Sequence, residues 1–81
     1  MELKDTITEM TSEDYKERYK AEYHQLSIRR EKLASMLDKW VDGKLEFNPK
    51  CSFTLLTAQI SIMSAYLMIL KERARIEGIE L

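Results

Sequence analysis

The chain has 81 residues, of which 33% are charged, and its 13 Lys and Arg against 14 Asp and Glu leave a net charge of −1. A chain of this length forms at most one domain, and such a small core is marginal unless something reinforces it. One Cys excludes an intramolecular disulfide, and one Cys with one His excludes an all-His/Cys zinc site within one chain. Oligomerisation remains as the means of stabilising so small a core. The balanced charge predicts no DNA partner.

The first eleven residues are predicted to be an N-terminal arm, either a short helix or a loose segment. Leu3, Ile7 and Met10 give residues 1–11 only a weak apolar periodicity. The helical domain is expected to occupy residues 12–81.

A first long helix is predicted from about Glu13 to about Val41. Ser12 is a suitable N-cap, and acidic residues follow it in the first turn, where the helix dipole favours them. Gly43 suits the position just past the end of the helix. The apolar residues of this helix are Tyr15, Tyr19, Tyr23, Leu26, Leu33, Leu37 and Trp40. Several of them are seven residues apart, a spacing typical of packing against a neighbouring helix.

A second long helix is predicted from near Ser52 to about Glu77, with Gly78 at its C-terminal cap. The pair Asn48 and Pro49 in the preceding linker stops a helix. Two long helices joined by a short linker form an antiparallel hairpin, so the predicted fold class is all-α.

The stretch from Phe53 to Leu70 has eighteen residues and contains no charged residue, no Gly and no Pro. A helix that is apolar on all sides must be buried on all sides, and one partner helix covers only one of them. We therefore expect a homo-oligomer, in the simplest case a dimeric four-helix bundle with the second helix central. The predicted oligomer core comprises Leu56, Ile60, Ile62, Met63, Tyr66, Leu67 and Leu70.

The same stretch is long enough to be tested as a membrane span. Its first twelve residues include the polar side chains of Thr54, Thr57, Gln59, Ser61 and Ser64. Because such side chains oppose insertion, we predict a buried helix and no membrane partner. The lone thiol of Cys51 fits a reducing setting, and we expect a cytoplasmic protein.

Enzymatic motifs are absent from the sequence: it has no glycine-rich phosphate loop, no HExxH, no CxxC and no GxSxG. His24 has no Cys or carboxylate at ligand spacing, and Cys51 has no His in local range. We therefore predict a protein that is not an enzyme, with no catalytic residue, no metal and no cofactor.

The polar part of the first helix is the one candidate for a ligand site. It combines tyrosines spaced by four with cations that have no acid three or four residues away on the same helix. These candidate ligand-binding residues are Tyr15, Tyr19, Tyr23, Arg29, Arg30 and Lys32. Arg30 lies within the apolar stripe, and hairpin geometry places it opposite residue 65, in a helix without carboxylates from 53 to 70. We therefore expect its guanidinium to find no acid within its own hairpin.

Two interpretations of this region stay open. In the first, the tyrosines stack on bases and the cations bind phosphates of a small anionic ligand, or the same residues contact a protein partner. In the second, the tyrosines are the hydrated end of a hairpin core, and Arg30 extends along the stripe to water.

The sequence also resembles a family of small helical proteins encoded by bacteriophages and prophages, related to a crAss-like phage protein. The resemblance covers residues 10–81 and includes a Tyr-, Glu- and Arg-rich first helix. The motif of the second helix consists of Leu55, Leu56, Gln59, Met63, Tyr66, Leu67 and Leu70. These are packing residues, so they imply the fold and carry no activity with them.

The phage setting implied by this resemblance favours a counter-defence role in the infected bacterium. In shape, the hairpin is similar to phage proteins that sequester cyclic nucleotide signals at subunit junctions. We therefore expect a homo-oligomer that sequesters a cyclic nucleotide. An inhibitor or adaptor that binds a host defence protein, and a purely structural oligomer, are the alternatives.

Overall fold

A computed structural model describes residues 1–81 and consists of helices without any strand. A 3₁₀ turn at Leu3–Thr6 leads into a short helix α1 at Ile7–Met10. The two long helices are α2 at Tyr15–Val41 and α3 at Phe53–Glu77. The molecule measures 43 × 24 × 18 Å, so it is elongated along these helices.

The start of α2 differs from the sequence prediction. Asp14, in an extended conformation, is the N-cap, and its carboxylate accepts a 2.9 Å hydrogen bond from the backbone N–H of Lys16. The hydroxyl of Ser12 instead accepts a hydrogen bond from the N–H of Asp14. The prediction of Ser12 as the cap was therefore wrong by two residues, because a better acceptor stands next to the first helical turn.

The other helix ends confirm the prediction. α2 ends at Val41 and is followed by Gly43 with a φ of 71°. Ser52 caps α3 by accepting a hydrogen bond from the N–H of Leu55, and Gly78 ends it, also with a φ of 71°. Both glycines adopt the left-handed conformation, which side chains with a Cβ disfavour.

Contacts between α2 and α3 show that the two helices run antiparallel. The rings of Trp40 and Phe53 meet edge to face at 5.4 Å beside the linker. At the opposite end, the hydroxyl of Tyr15 donates a hydrogen bond to Glu77. The predicted hairpin is thus confirmed for a single chain.

The interior of this single chain is small. Only seven of its 81 residues are buried. The largest buried cluster contains Tyr19, Leu70, Ala74 and Ile79. A core of this size buries little apolar area, so the isolated hairpin lacks much of the hydrophobic stabilisation that a domain needs.

The N-terminal arm, residues 1–11, lies against the side of α2 that faces away from α3. Thr6 is almost fully buried, and its hydroxyl accepts a 2.9 Å hydrogen bond from the amide of Gln25. The carboxylate of Glu9 lies 3.1 Å from Nδ1 of His24. These contacts hold the arm on α2 at defined positions.

The outer face of α3 is apolar and exposed. Four residues spaced by seven, which we name the heptad stripe, are Leu55, Ile62, Ile69 and Ile76, with exposed fractions of 59–71%. By length and composition α3 is a candidate membrane span, with a mean hydropathy of 1.7. Within one chain, this face has no partner.

The predicted oligomer core therefore divides between two faces of α3. Leu70 is fully buried, and by helical spacing Leu56, Ile60, Met63 and Leu67 share its side toward α2, each of them partly buried. Ile62 and Tyr66 are exposed.

Candidate functional site

The tyrosine series of α2 is directed at α3. Tyr19 is 5% exposed, and its hydroxyl donates a 2.6 Å hydrogen bond to the backbone carbonyl of Leu70. The guanidinium carbon of Arg73 lies 5.1 Å from the centre of the Tyr19 ring. Tyr15 is bound to Glu77. Both tyrosines thus link α2 to α3; the ring of Tyr19 is buried in this contact, whereas the ring of Tyr15 is 47% exposed.

The phenols of Tyr15, Tyr19 and Tyr66, which contact the facing helix, stay protonated over a wide pH range. The carboxylate of Glu77 accepts a hydrogen bond from Tyr15 and raises the pKa of that phenol. Burial raises the pKa of Tyr19. Tyr66 donates a hydrogen bond to the carboxylate of Glu22, and this bond raises the pKa of Tyr66. Each of the three phenols thus acts as a neutral hydrogen-bond donor or apolar ring.

Arg30 lies where the hairpin geometry predicts it, within one residue of the expected position on α3. Its Nε donates a 2.8 Å hydrogen bond to the hydroxyl of Ser64, and one of its terminal nitrogens lies 3.3 Å from the carboxylate of Glu31. The expectation that Arg30 finds no acid within its own hairpin was therefore wrong. Glu31 is largely exposed, which weakens the pairing, but Arg30 is already engaged on two sides.

A surface pocket of about 240 Å³ surrounds this contact, and we name it the Ser64 groove. It is lined by Tyr23, Ser27, Arg30, Glu31, Ser64, Leu67, Met68 and Lys71. Tyr23 and Arg30 are the two predicted site residues that the structure brings together here. Lys71 forms no ion pair and adds a second cation.

Arg29 lines a different pocket, on the side of α2 opposite to the Ser64 groove. This arm pocket has a volume of about 330 Å³ and is lined by Met10, Arg18, Ala21, Glu22, Gln25, Leu26 and Arg29. Eleven residues separate Arg18 from Arg29, so the two differ by only about 20° around the helix and point the same way. Arg29 is exposed and has no hydrogen-bond or ion-pair partner in the structure.

The polar neighbours of Arg29 are already engaged by other groups. The carboxylate of Glu22 is bound by Tyr66. The amide of Gln25 contacts Thr6 and the sulfur of Met10. Arg18 donates a 2.8 Å hydrogen bond to the backbone carbonyl of Ser12 and retains further donors. The arm pocket is therefore a cationic recess with an apolar wall.

Lys32 belongs to neither pocket. Its amino group lies 3.1 Å from the carboxylate of Glu2, so it fastens the arm to α2. The six predicted residues thus lie at four places: the contact between α2 and α3, the Ser64 groove, the arm pocket and the contact with Glu2.

Two cations that line the pockets, Arg18 and Lys71, are not in the predicted set of site residues. The guanidinium of Arg18 donates to the Ser12 carbonyl. The spacing of eleven from Arg18 to Arg29 is the signal that identifies the arm pocket. Groups of three or more His, Cys, Asp or Glu side chains at metal-binding distance do not occur.

Comparison with models of protein families identifies the family of the chain. A family model described as Sequestin matches residues 13–76, which include α2, the linker and nearly all of α3. The chain belongs to the Sequestin family. The name of this family refers to sequestration, that is, to holding a molecule by binding it. Neither the comparison with curated proteins nor that with solved structures finds a match.

The Sequestin match agrees with the resemblance to a small phage-type protein family, although a relationship to a crAss-like phage protein is not shown by it. The matched region begins at residue 13, so the arm lies outside it. Arg18 and Arg29 lie inside it.

Proposed function

We propose that this Sequestin protein sequesters a small anionic ligand of the cyclic nucleotide type, and that Arg29 in the arm pocket is the main contact to its phosphate. The observation that carries the proposal is the unpaired guanidinium of Arg29, which shares a recess with Arg18. Guanidinium groups with free donors bind phosphate oxygens in a bidentate manner.

The shape of the arm pocket suits a ligand with an apolar part beside its charge. Met10, Leu26 and Ala21 form an apolar wall, and the bound carboxylate of Glu22 stands between the two arginines. Arg18 and Arg29 are about 16 Å apart along the helix, so their side chains suit two acidic groups better than one.

The proposed role is binding without chemical conversion. The His24 imidazole lies outside both pockets, in contact with Glu9 on the arm side of α2. A protein that sequesters a ligand needs only to bind it tightly and to be present at a sufficient concentration. In an infected bacterium, a phage-encoded protein of this kind would lower the free concentration of a host defence signal in the cytoplasm.

A protein that binds a host defence protein through the exposed face of α2 is the second candidate. The Ser64 groove favours it, because this groove combines Tyr23, Arg30 and Met68 on a surface, and Tyr and Arg are frequent at binding hot spots. Affinity capture from host lysate, with Arg30→Ala as the control variant, separates this role from ligand sequestration.

Thermal shift against a panel of cyclic mono- and dinucleotides tests the main proposal. A ligand at one hundred times its dissociation constant stabilises the folded state by about 2.7 kcal/mol. Arg29→Gln should weaken binding by roughly tenfold or more, because a hydrogen bond to a charged group contributes about 1.5–3 kcal/mol.

Arg75→Gln is the matched control, since Arg75 is 71% exposed and pairs only with Glu72 on the surface. It should bind the ligand as the parent does. If no compound stabilises the protein at millimolar concentration, or if Arg29→Gln binds as tightly as Arg75→Gln, the proposed function is wrong.

A further inference from the structure

The carboxylate of Glu22 stands between the two arginines of the arm pocket and forms an ion pair with neither of them. Arg18 precedes Glu22 by four residues, and Arg29 follows it by seven. Both spacings place the acid and the base on the same side of a helix, and residues four apart are close enough to pair. An ion pair that the sequence allows is therefore absent from the structure.

A comparable group of three side chains forms this ion pair elsewhere in the molecule. Arg73 precedes Glu77 by four residues, which is the spacing of Arg18 and Glu22, and its Nε donates to Oε2 of that carboxylate at 3.3 Å. Tyr15 donates to the other oxygen of Glu77. The spacing thus permits the ion pair even when a phenol is bound to the same carboxylate.

Two hydrogen bonds keep Glu22 and Arg18 apart. The hydroxyl of Tyr66 on α3 donates to Oε2 of Glu22 and holds this carboxylate on the α3 side of the pocket. The guanidinium of Arg18 donates to the backbone carbonyl of Ser12, which lies toward the N-terminus, whereas Glu22 lies toward the C-terminus. Without the Tyr66 hydroxyl, the carboxylate would be free to turn to the two guanidinium groups that line the same pocket.

We infer that Tyr66 is a positioning residue of the arm pocket: by holding the carboxylate of Glu22 at α3, it keeps Arg18 and Arg29 free to bind an anion. The inference rests on the proposed function, in which these arginines bind the phosphate groups of the ligand. Tyr66 does not itself line the pocket, so it acts through Glu22.

A released carboxylate would weaken anion binding in two ways. It would occupy donors of a guanidinium group, and its negative charge would lie closer to the phosphate. An exposed ion pair changes an equilibrium constant by up to about fivefold, and like charges at a solvated site repel each other within about 10 Å. We therefore expect the loss of the Tyr66 hydroxyl to weaken anion binding by about three- to tenfold.

Nitrogen-15 relaxation of the arginine Nε–H groups tests this positioning without any ligand. In the parent, the Arg29 side chain has no partner and should be mobile. In Tyr66→Phe, the Nε–H of Arg18 or of Arg29 should become more ordered, because Glu22 then pairs with it. Adding Glu22→Gln to Tyr66→Phe should restore the mobility of the parent. Unchanged relaxation of both arginines in Tyr66→Phe would overturn the inference.

Titration with inorganic pyrophosphate at low salt tests the consequence for binding. Tyr66→Phe should bind pyrophosphate about three- to tenfold more weakly than the parent, and Glu22→Gln should bind it more tightly. In the Glu22→Gln background, Tyr66→Phe should have no effect, because no carboxylate is left to release. If the Tyr66 hydroxyl merely stabilised the hairpin, its loss would weaken binding equally in both backgrounds, and that result contradicts the inference.

Tyr15→Phe is the matched control. Tyr15 and Tyr66 have similar exposed fractions, 47% and 43%, and each donates to a carboxylate of the facing helix. Tyr15 and its partner Glu77 line neither pocket, so this variant should bind pyrophosphate as the parent does. Equal losses in Tyr15→Phe and Tyr66→Phe would show that any contact between α2 and α3 has the same effect, and would overturn the role of Tyr66.

The two measurements separate this inference from the proposed function. A parent that binds a cyclic nucleotide, together with a Tyr66→Phe variant that binds it equally well, overturns only the role of Tyr66. A parent that binds neither pyrophosphate nor any cyclic nucleotide contradicts the proposed function, and the relaxation data still decide whether Tyr66 holds Glu22 away from the two arginines.

Discussion

The phenol of Tyr19 and the backbone carbonyl of Leu70 are joined by a 2.6 Å hydrogen bond at the most buried point of the hairpin. Leu70 is fully buried, and Tyr19 is covered on its face by Arg73. A tyrosine that looks like a ligand-stacking residue in the sequence is thus a link between α2 and α3.

Removing this link should destabilise the hairpin without disturbing either pocket. Tyr19→Phe keeps the ring and deletes the donor, so the free energy of unfolding should fall by about 0.5–1.5 kcal/mol. Tyr15→Phe is the control, since its hydrogen bond to Glu77 is exposed and should contribute less. Urea unfolding measures both, and equal losses would contradict the difference in burial.

The cluster around Leu70 should be the most sensitive part of the core. Leu70→Ala should lower the free energy of unfolding by about 2–5 kcal/mol, because it leaves a cavity among Tyr19, Ala74 and Ile79. Met68→Ala, at a position that is 71% exposed, should change it by less than about 0.5 kcal/mol. Similar effects of the two substitutions in urea unfolding would mean that the cluster does not hold the hairpin.

Alkaline pH should destabilise the folded state, because the phenols that link α2 and α3 ionise. The pKa values of Tyr15, Tyr19 and Tyr66 are raised above 10.0 in the folded state, so unfolding releases protons once the pH exceeds about 10. The stabilisation is complete below pH 10 and is lost as the pH rises through the raised pKa values.

Melting temperatures between pH 8 and 11 measure this effect. The Tyr66→Phe variant, in which the phenol that contacts Glu22 is absent, should lose less stability over that range than the parent. Identical slopes for the two proteins would show that this phenol titrates alike in the folded and unfolded states.

The N-terminal arm should open locally when its buried hydrogen bond is removed. Thr6→Val leaves the amide of Gln25 without the Thr6 hydroxyl, which costs about 1–3 kcal/mol of arm docking. Hydrogen exchange of residues 3–10 should accelerate, while the centre of α2 stays protected. Thr8→Val, at an exposed position, is the control and should leave exchange unchanged.

Opening of the arm should also affect the arm pocket, because Met10 forms part of its wall. Thr6→Val should therefore weaken ligand binding several-fold by equilibrium titration, and Thr8→Val should not. If Thr6→Val accelerates exchange of the arm but binds the ligand as the parent does, the arm is not part of the site.

The hairpin was predictable because its signals are local. Gly43 and Gly78 mark helix ends, Ser52 caps α3, and the spacing of apolar residues gives the facing sides. The start of α2 was less predictable, since Ser12 and Asp14 are both good caps and only the path of the arm decides between them.

The candidate site was less predictable because side-chain direction depends on the arm and on neighbouring charges. Arg29 and Arg30 are adjacent in sequence, yet they open on opposite flanks of α2. Arg30 had seemed the unpartnered residue, but Ser64 and Glu31 engage it. Arg29, the other arginine of the predicted set, is the one that has no partner, and it lies in the arm pocket with Arg18.

Calorimetric titration of cyclic nucleotides into the parent protein and into Arg29→Gln tests whether Arg29 holds the ligand. We expect saturable binding of at least one of them to the parent, and a dissociation constant at least tenfold weaker for Arg29→Gln at unchanged oligomer mass. Binding of equal affinity to both proteins, or no binding to the parent by any member of the panel, would contradict it.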